Sequence, residues 1–174
     1  MPNIEFITDR NIYEKVIQER IPHAQRFLWI GTSDMKDLYV TKAKKMVPFL
    51  EILSDLVKKG VSIRIIHAKE PGEAYRRDFD KYPYLIKNIE MFLCPRIHFK
   101  SVIIDGKFAY SGSANLTGAG MGAKSKDKRN FESGFITDYI AIVDQVMTQF
   151  DQLWMGKFCK TCKRKEYCFE WKKF

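Results

Sequence analysis

Two short, largely apolar runs constrain the fold of this chain more than any other feature. They are RFLWIGT at 26–32 and VSIRIIH at 61–67. Apolar runs of this length are typical of strands that are buried on both faces. Between them, 48–59 has a helical pattern, with Pro48 near its start and Gly60 after its end. The order strand, helix, strand predicts a layered α/β domain.

The remaining patterns extend this arrangement. Further strands are predicted at 89–93, 99–104, 108–110 and 131–137, and helices at 11–24 and 139–154, with 72–81 a polar helix or loop. Asp105-Gly106 is a two-residue hairpin turn, which makes the strands on either side of it antiparallel. We therefore expect an α/β fold with a mixed parallel and antiparallel sheet flanked by helices.

The chemistry is concentrated on the predicted hairpin, in RIHFKSVIIDGKFAYSGSANLT at 96–117. His98 and Lys100 are two residues apart, so a strand would point them the same way. The turn at Asp105 brings Ser113 and Asn115 back beside the start of the hairpin. Histidine can act as nucleophile or acid, and the other groups suit anionic oxygens.

These residues resemble the motifs of the phospholipase D superfamily, which are H-x-K-x4-D, then G-S-x-N, then N-x-E. The matching residues are His98, Lys100 and Asp105, then Gly112, Ser113 and Asn115, then Asn130 and Glu132. The resemblance extends from about residue 10 to about residue 154. It implies a phospholipase D-like catalytic domain over 1–155, followed by a small cysteine-rich extension over 156–174.

The resemblance also implies a mechanism. In the family, two motif copies meet in one site, where one histidine forms a phosphohistidine and the other protonates the leaving oxygen. This chain has one copy, so we expect a homodimer in which His98 of each subunit is nucleophile or acid.

Further roles follow from the same resemblance. Lys100 and Asn115, supported by Ser113, would bind the non-bridging oxygens, and Glu132 would bond the far nitrogen of His98. Asp105 and Asn130 would give structural support. No catalytic divalent metal would be needed.

The net charge of +9 is concentrated in two segments. One contains Lys124, Lys126, Lys128 and Arg129, and the other is the tail, with Lys163, Arg164 and Lys165 at its centre and further lysines at 157, 160, 172 and 173. The tail also carries aromatic residues, namely Phe158, Tyr167, Phe169, Trp171 and Phe174. Basic residues interleaved with aromatic ones indicate a nucleic-acid partner, with a solvated basic tail as the alternative.

Several functions remain open. The favoured one is a nuclease on DNA or RNA. A phospholipid hydrolase or transferase is the alternative enzyme and would need an apolar, membrane-facing rim. A non-catalytic nucleic-acid-binding module would retain the motifs without using them.

The tail contains a C-x2-C-x5-C pattern formed by Cys159, Cys162 and Cys168, and Cys94 is the remaining cysteine. Four thiolates suit either zinc or an iron–sulfur cluster. The compact triplet with one distant cysteine resembles the iron–sulfur staple of RecB-type and CRISPR-associated nucleases, so a structural [4Fe–4S] cluster is favoured over zinc. The further alternative is a set of unmetallated structural cysteines.

The compartment is inferred from what the sequence lacks. The first residues do not form a secretory signal, and no window reaches the length of a membrane span. We expect a cytoplasmic protein, in which metal binding is favoured over disulfides.

Overall fold

The structure is a computed structural model that describes residues 3–170. Trp171 and Phe174, which the sequence analysis counts among the aromatic residues of the tail, lie outside the described residues, as do Lys172 and Lys173.

The strands are β1 (Ile4–Thr8), β2 (Phe27–Thr32), β3 (Tyr39–Lys42), β4 (Lys45–Pro48), β5 (Ser62–His67), β6 (Ile89–Leu93), β7 (Lys100–Ile104), β8 (Phe108–Gly112) and β9 (Ser133–Thr137). The α-helices are α1 (Arg10–Ile12), α2 (Phe49–Lys58), α3 (Glu73–Phe79), α4 (Pro83–Asn88) and α5 (Ile140–Trp154). A π-helix (Tyr13–Gln18) continues α1, and 3-10 turns occur at Ile21–His23 and Lys165–Tyr167.

The main sheet has the strand order β1-β9-β8-β7-β2-β5-β6. Strands β2, β5 and β6 run parallel, and the other neighbours in the sheet are antiparallel. The predicted mixed sheet is therefore confirmed. A small second sheet is formed by β3 and β4.

Helices cover both faces of the main sheet. On one face, Leu28 and Ile30 of β2 belong to the large core that includes the buried side of α2. On the other face, Trp29 stacks on Phe150 of α5, with ring centroids 5.1 Å apart. Strand β7 is buried along its whole length, because Val102 faces the first core and Ile103 faces the second.

Some elements differ from the sequence-based prediction. The single helix predicted over 11–24 is instead the end of α1, a π-helix and a 3-10 turn, and β1, the β3–β4 hairpin and α4 are not predicted at all. The turn between β3 and β4 uses Ala43 and Lys44, both with positive φ, where glycine or asparagine would have marked it.

No helix within residues 3–170 has the combination of length and apolar character that crossing a membrane requires.

Candidate active site

The β7–β8 hairpin forms the base of the site. Asp105 and Gly106 both have positive φ, at 57° and 69°, as a two-residue hairpin turn requires. The Asp105 carboxylate accepts hydrogen bonds from the backbone N–H groups of Gln25, Arg26 and Phe27, at 2.9, 2.7 and 2.9 Å. Burial opposes ionisation of this carboxyl, but the N–H donors outweigh it and leave the pKa of Asp105 below its ordinary value.

Lys100 lies beneath His98 at the entrance to β7. Its side chain is buried, whereas His98 is exposed. The Lys100 Nζ donates to the His98 carbonyl oxygen at 2.6 Å and lies 3.4 Å from His98 Nδ1. Burial lowers the pKa of Lys100, and the negative charge of Glu132 acts in the opposite direction.

Close packing explains the glycine that precedes Ser113. Gly112 pairs with Lys100 across the hairpin, so Ser113, the next residue, lies beside the start of β7. A Cβ on Gly112 would approach the Ser133 carbonyl oxygen to 2.5 Å and would also meet the hydroxyl of the fully buried Tyr110. A side chain at this position would displace the backbone that carries Ser113.

The side-chain amide of Asn115 is oriented by backbone donors. Its Oδ1 accepts from the N–H groups of Ser33 and Asp34, at 3.1 and 3.2 Å. These bonds leave the NH2 group, which has no hydrogen-bond partner in the described part of the chain, to donate to a ligand.

The hydrogen bonds of the Glu132 carboxylate differ from the expected bond to His98. This carboxylate accepts from the Ser113 hydroxyl and, at 3.1 Å, from the Asn130 side-chain amide. Between residues 3 and 170, no hydrogen bond connects it to His98. Ser113 hydrogen-bonds Ser133, the residue after Glu132, and Asn130 lies two residues before Glu132, so both side chains are next to the carboxylate.

Asp9 is a supporting residue that sequence reasoning missed. Its backbone N–H donates to the Glu132 carbonyl oxygen at 2.9 Å, and its side chain accepts from the Glu132 N–H at 2.9 Å. Asp9 follows β1, which was not predicted, so no sequence signal placed it near the site. The two bonds fix the backbone that presents Glu132.

A sequence model of the family described as "Cardiolipin synthase, PLD-like domain" matches residues 17–154, well over half of the chain. The chain belongs to this PLD-like family. It is thus a phosphodiesterase of the phospholipase D superfamily. No curated protein matches it in sequence.

Solved structures share this PLD-like fold at low sequence identity. NucT from Helicobacter pylori is 16% identical with a TM-score of 0.65, and the match covers 89% of this chain and 97% of that one. Nuc from Salmonella typhimurium, a phospholipase D family member, is 17% identical with a TM-score of 0.64, over 88% and 95% of the two chains. TrmBL2, an archaeal chromatin protein, is 13% identical with a TM-score of 0.61, over 88% of this chain and 52% of that one.

The two groups of basic residues lie in different parts of the chain. Lys124, Lys126 and Lys128 are exposed on the loop that ends at Asn130, and Arg129 is half-buried there. The backbone of Asn130 is held by a 3.1 Å hydrogen bond to the Ala119 carbonyl oxygen. This loop therefore leads directly into the site.

The basic residues of the tail lie with the cysteines instead. Lys163 and Arg164 are exposed, and Lys165 lines the cavity described next. The guanidinium of Arg164 lies 5.2 Å from the ring centroid of Tyr167. The role of these cations in substrate binding stays a prediction.

All four cysteines line one cavity of about 250 Å³ between the tail and the β6–β7 connection. None forms a disulfide. Burial raises the pKa of the Cys94 thiol, whereas the backbone N–H of Arg164, 3.4 Å from the sulfur, lowers that of Cys162. Among residues 3–170, no three histidine, cysteine or carboxylate side chains are already arranged to hold a metal ion.

Proposed function

We propose that this phosphodiesterase is a metal-independent nuclease that cleaves DNA or RNA through a phosphohistidine, in a site shared by two copies of the chain. The observation that carries the choice of substrate is the cationic loop at 124–129, which is exposed and runs straight into Asn130 and Glu132. A polyanionic backbone is attracted to such a loop.

The proposed reaction uses one histidine from each subunit. His98 attacks phosphorus, and the bond between phosphorus and the leaving oxygen breaks. The partner's His98 donates its proton to that oxygen. Water then attacks the phosphohistidine, gives a proton back to the partner's His98 and releases the phosphate product.

Lys100 and Asn115 are proposed to stabilise the negative charge on the non-bridging oxygens of the phosphate. Lys100 offers a buried ammonium beside His98, where its charge is poorly screened by water. Asn115 offers its side-chain NH2 group, because the backbone N–H groups of Ser33 and Asp34 bond only its Oδ1 atom. Ser113 and Asn130 are held in place by Glu132.

An apolar surface beside the site supports the homodimer. We call it the edge patch, and it consists of Ile4, Phe6, Phe131 and Phe135. These side chains are 52%, 59%, 96% and 53% exposed, and the rings of Phe6 and Phe135 are in contact, with centroids 5.2 Å apart. Because Phe131 immediately precedes Glu132, a second copy seated here would adjoin the site. Burying such a patch favours association.

The test is cleavage of labelled single- and double-stranded DNA and RNA in EDTA. We expect the wild type to cleave at least one of them, and His98→Ala and Lys100→Ala to be inactive. The matched control is His23→Ala, because His23 is exposed and its ring bonds the carbonyl oxygen of the nearby Glu19. Loss of all cleavage in EDTA, with the circular dichroism spectrum unchanged, would reject the mechanism.

Two alternatives each have one supporting observation. Phe131, almost fully exposed beside Glu132, is an apolar group at the rim that a phospholipid hydrolase or transferase would use. The likeness to TrmBL2, which binds DNA, supports a non-catalytic binding module. Cleavage of phospholipid vesicles but not of nucleic acid would favour the first, and undiminished DNA binding without cleavage of any diester would favour the second.

A further inference from the structure

The tail, the β6–β7 connection and α5 line a cavity whose walls include every cysteine of the chain. Cys94 enters from the end of β6, Cys159 and Cys162 from the turns after α5, and Cys168 from the end of the last 3-10 turn. Three separate segments therefore direct their cysteines to one volume. Sequence spacing does not explain why cysteines as far apart as Cys94 and Cys168 line the same cavity, so the fold itself brings them together.

The size of the cavity separates the two metal groups that the sequence leaves open. A zinc ion binds thiolates at about 2.3 Å, which draws the four sulfurs together around one atom and leaves no open space. The cavity that these cysteines line together with neighbouring side chains has a volume of about 250 Å³, far more than one metal ion fills. A cube of iron and sulfide needs an enclosed volume between its four ligands.

The surroundings of the cavity suit a buried anionic group. Phe92, Phe99 and Phe158 provide apolar walls, and Arg96 and Lys165 provide positive charge. The backbone N–H of Arg164 donates towards the Cys162 sulfur at 3.4 Å. An iron–sulfur cluster with four thiolates carries net negative charge and is stabilised by such cations and N–H donors.

We propose that Cys94, Cys159, Cys162 and Cys168 hold a [4Fe–4S] cluster in this cavity. Each thiol gives its proton to solvent and forms one iron–sulfur bond. The cluster joins the tail to the turn that begins at Cys94, where the Ile97 N–H bonds the Cys94 carbonyl oxygen at 3.0 Å. His98 is the next residue, so the cluster also holds the segment that leads into the active site.

Metal analysis of the wild type tests the proposal without any substrate, so the outcome does not depend on nuclease activity. The protein is purified without oxygen from cells supplied with iron. We expect about four irons and about four sulfides per chain, with broad absorbance near 400 nm that bleaches with dithionite. Stoichiometric zinc without iron would overturn the proposal, as would failure to bind iron and sulfide during anaerobic reconstitution.

A ligand variant and a matched control locate the group. Cys162→Ser is chosen because Cys162 is only half-buried, and Lys160→Ser is the control because Lys160 is exposed in the same turn. We expect the first to lose most of its iron and the second to keep it. Equal iron in both proteins would show that the cluster is not held at Cys162.

Proteolysis measures the structural role of the cluster. Trypsin has sites at Lys160, Lys163, Arg164 and Lys165. When the cluster is removed with ferricyanide and EDTA, we expect cleavage in this segment to become at least several-fold faster, because loss of the ligand set uncouples the local fold. An unchanged rate would show that the cluster does not hold the tail.

Discussion

Lys100 carries its charge in a place where an ammonium group is costly. Burial lowers the pKa of Lys100 and the negative charge of Glu132 raises it, so the protonated form depends on that carboxylate. If the protonated form binds the phosphate oxygens, activity falls as the pH rises through the pKa of Lys100. The alkaline limb of the rate profile thus reports on this one residue.

We predict that Glu132→Gln shifts this limb to lower pH. The negative charge of Glu132 stabilises the ammonium form of Lys100. Without that charge, the pKa of Lys100 falls further. The measurement is kcat/KM against pH, with Glu73→Gln as the control because Glu73 is exposed on α3. An alkaline limb that stays in place while the rate drops would show that Lys100 is not the group that titrates.

At the scale of elements, the hairpin turn is attached to the strand beside it. Asp105 accepts hydrogen bonds from the N–H groups of the first residue of β2 and of the two residues before it, so one carboxylate connects the β7–β8 turn to the central strand. The pKa of this carboxyl is lowered in the folded state, so its contribution is present above the ordinary aspartate pKa of about 4. It is lost as the pH falls through the lowered pKa.

We predict that Asp105→Asn lowers the free energy of unfolding by about 1–3 kcal/mol at pH 7, the usual scale for hydrogen bonds to a charged group. Asparagine tolerates the positive φ, so the change isolates the carboxylate. Urea unfolding measures it, with the exposed Asp80→Asn as control. The difference from wild type should shrink at acidic pH. A constant difference down to pH 2 would assign the loss to geometry instead.

The basic loop is a second element with its own prediction. Replacing Lys124, Lys126 and Lys128 with alanine should weaken nucleic-acid binding. It should also reduce the steepness of the plot of log binding constant against log salt concentration by about 2–3, because fewer counterions are released on binding when three phosphate contacts are lost. Alanine at Lys58, Lys59 and Lys87, which are exposed on and after α2 and on α4, changes the net charge equally and is the control. Equal slopes for both triple variants would mean that the loop does not contact the phosphates.

The sequence predicted those elements whose local signals agree with their tertiary surroundings. β2, β5, β7 and the Asp105-Gly106 turn are marked by apolar runs and a positive-φ pair, and β6 matches its predicted bounds. The β3–β4 turn has no such marker, because Ala43 and Lys44 adopt positive φ without glycine. The Asp9–Glu132 contact was beyond prediction, since it depends on how distant strands pair.

At the scale of the whole molecule, the proposed homodimer predicts how mixed subunits behave. When wild type and His98→Ala subunits exchange freely in equal amounts, only about a quarter of the dimers have both histidines. A shared site therefore retains about a quarter of the activity, whereas independent sites would retain about half. Titrating the inactive subunit and measuring cleavage at constant total protein distinguishes the two curves. As the control, Lys36→Ala subunits replace the His98→Ala subunits in the same titration. Lys36 is an exposed cation paired with Asp34, so this variant should stay active and the rate should not fall.

The pairing of β1 with β9 has a consequence for synthesis. Strand β1 leaves the ribosome well before β9, its neighbour in the main sheet, which begins at Ser133. The Asp9 contact that fixes Glu132 must wait for the same stretch. At roughly 5–20 residues per second, that interval is on the order of ten seconds. Without the contact that fixes Glu132, the proposed nuclease would be inactive, so a nascent chain would not cleave the messenger from which it is translated.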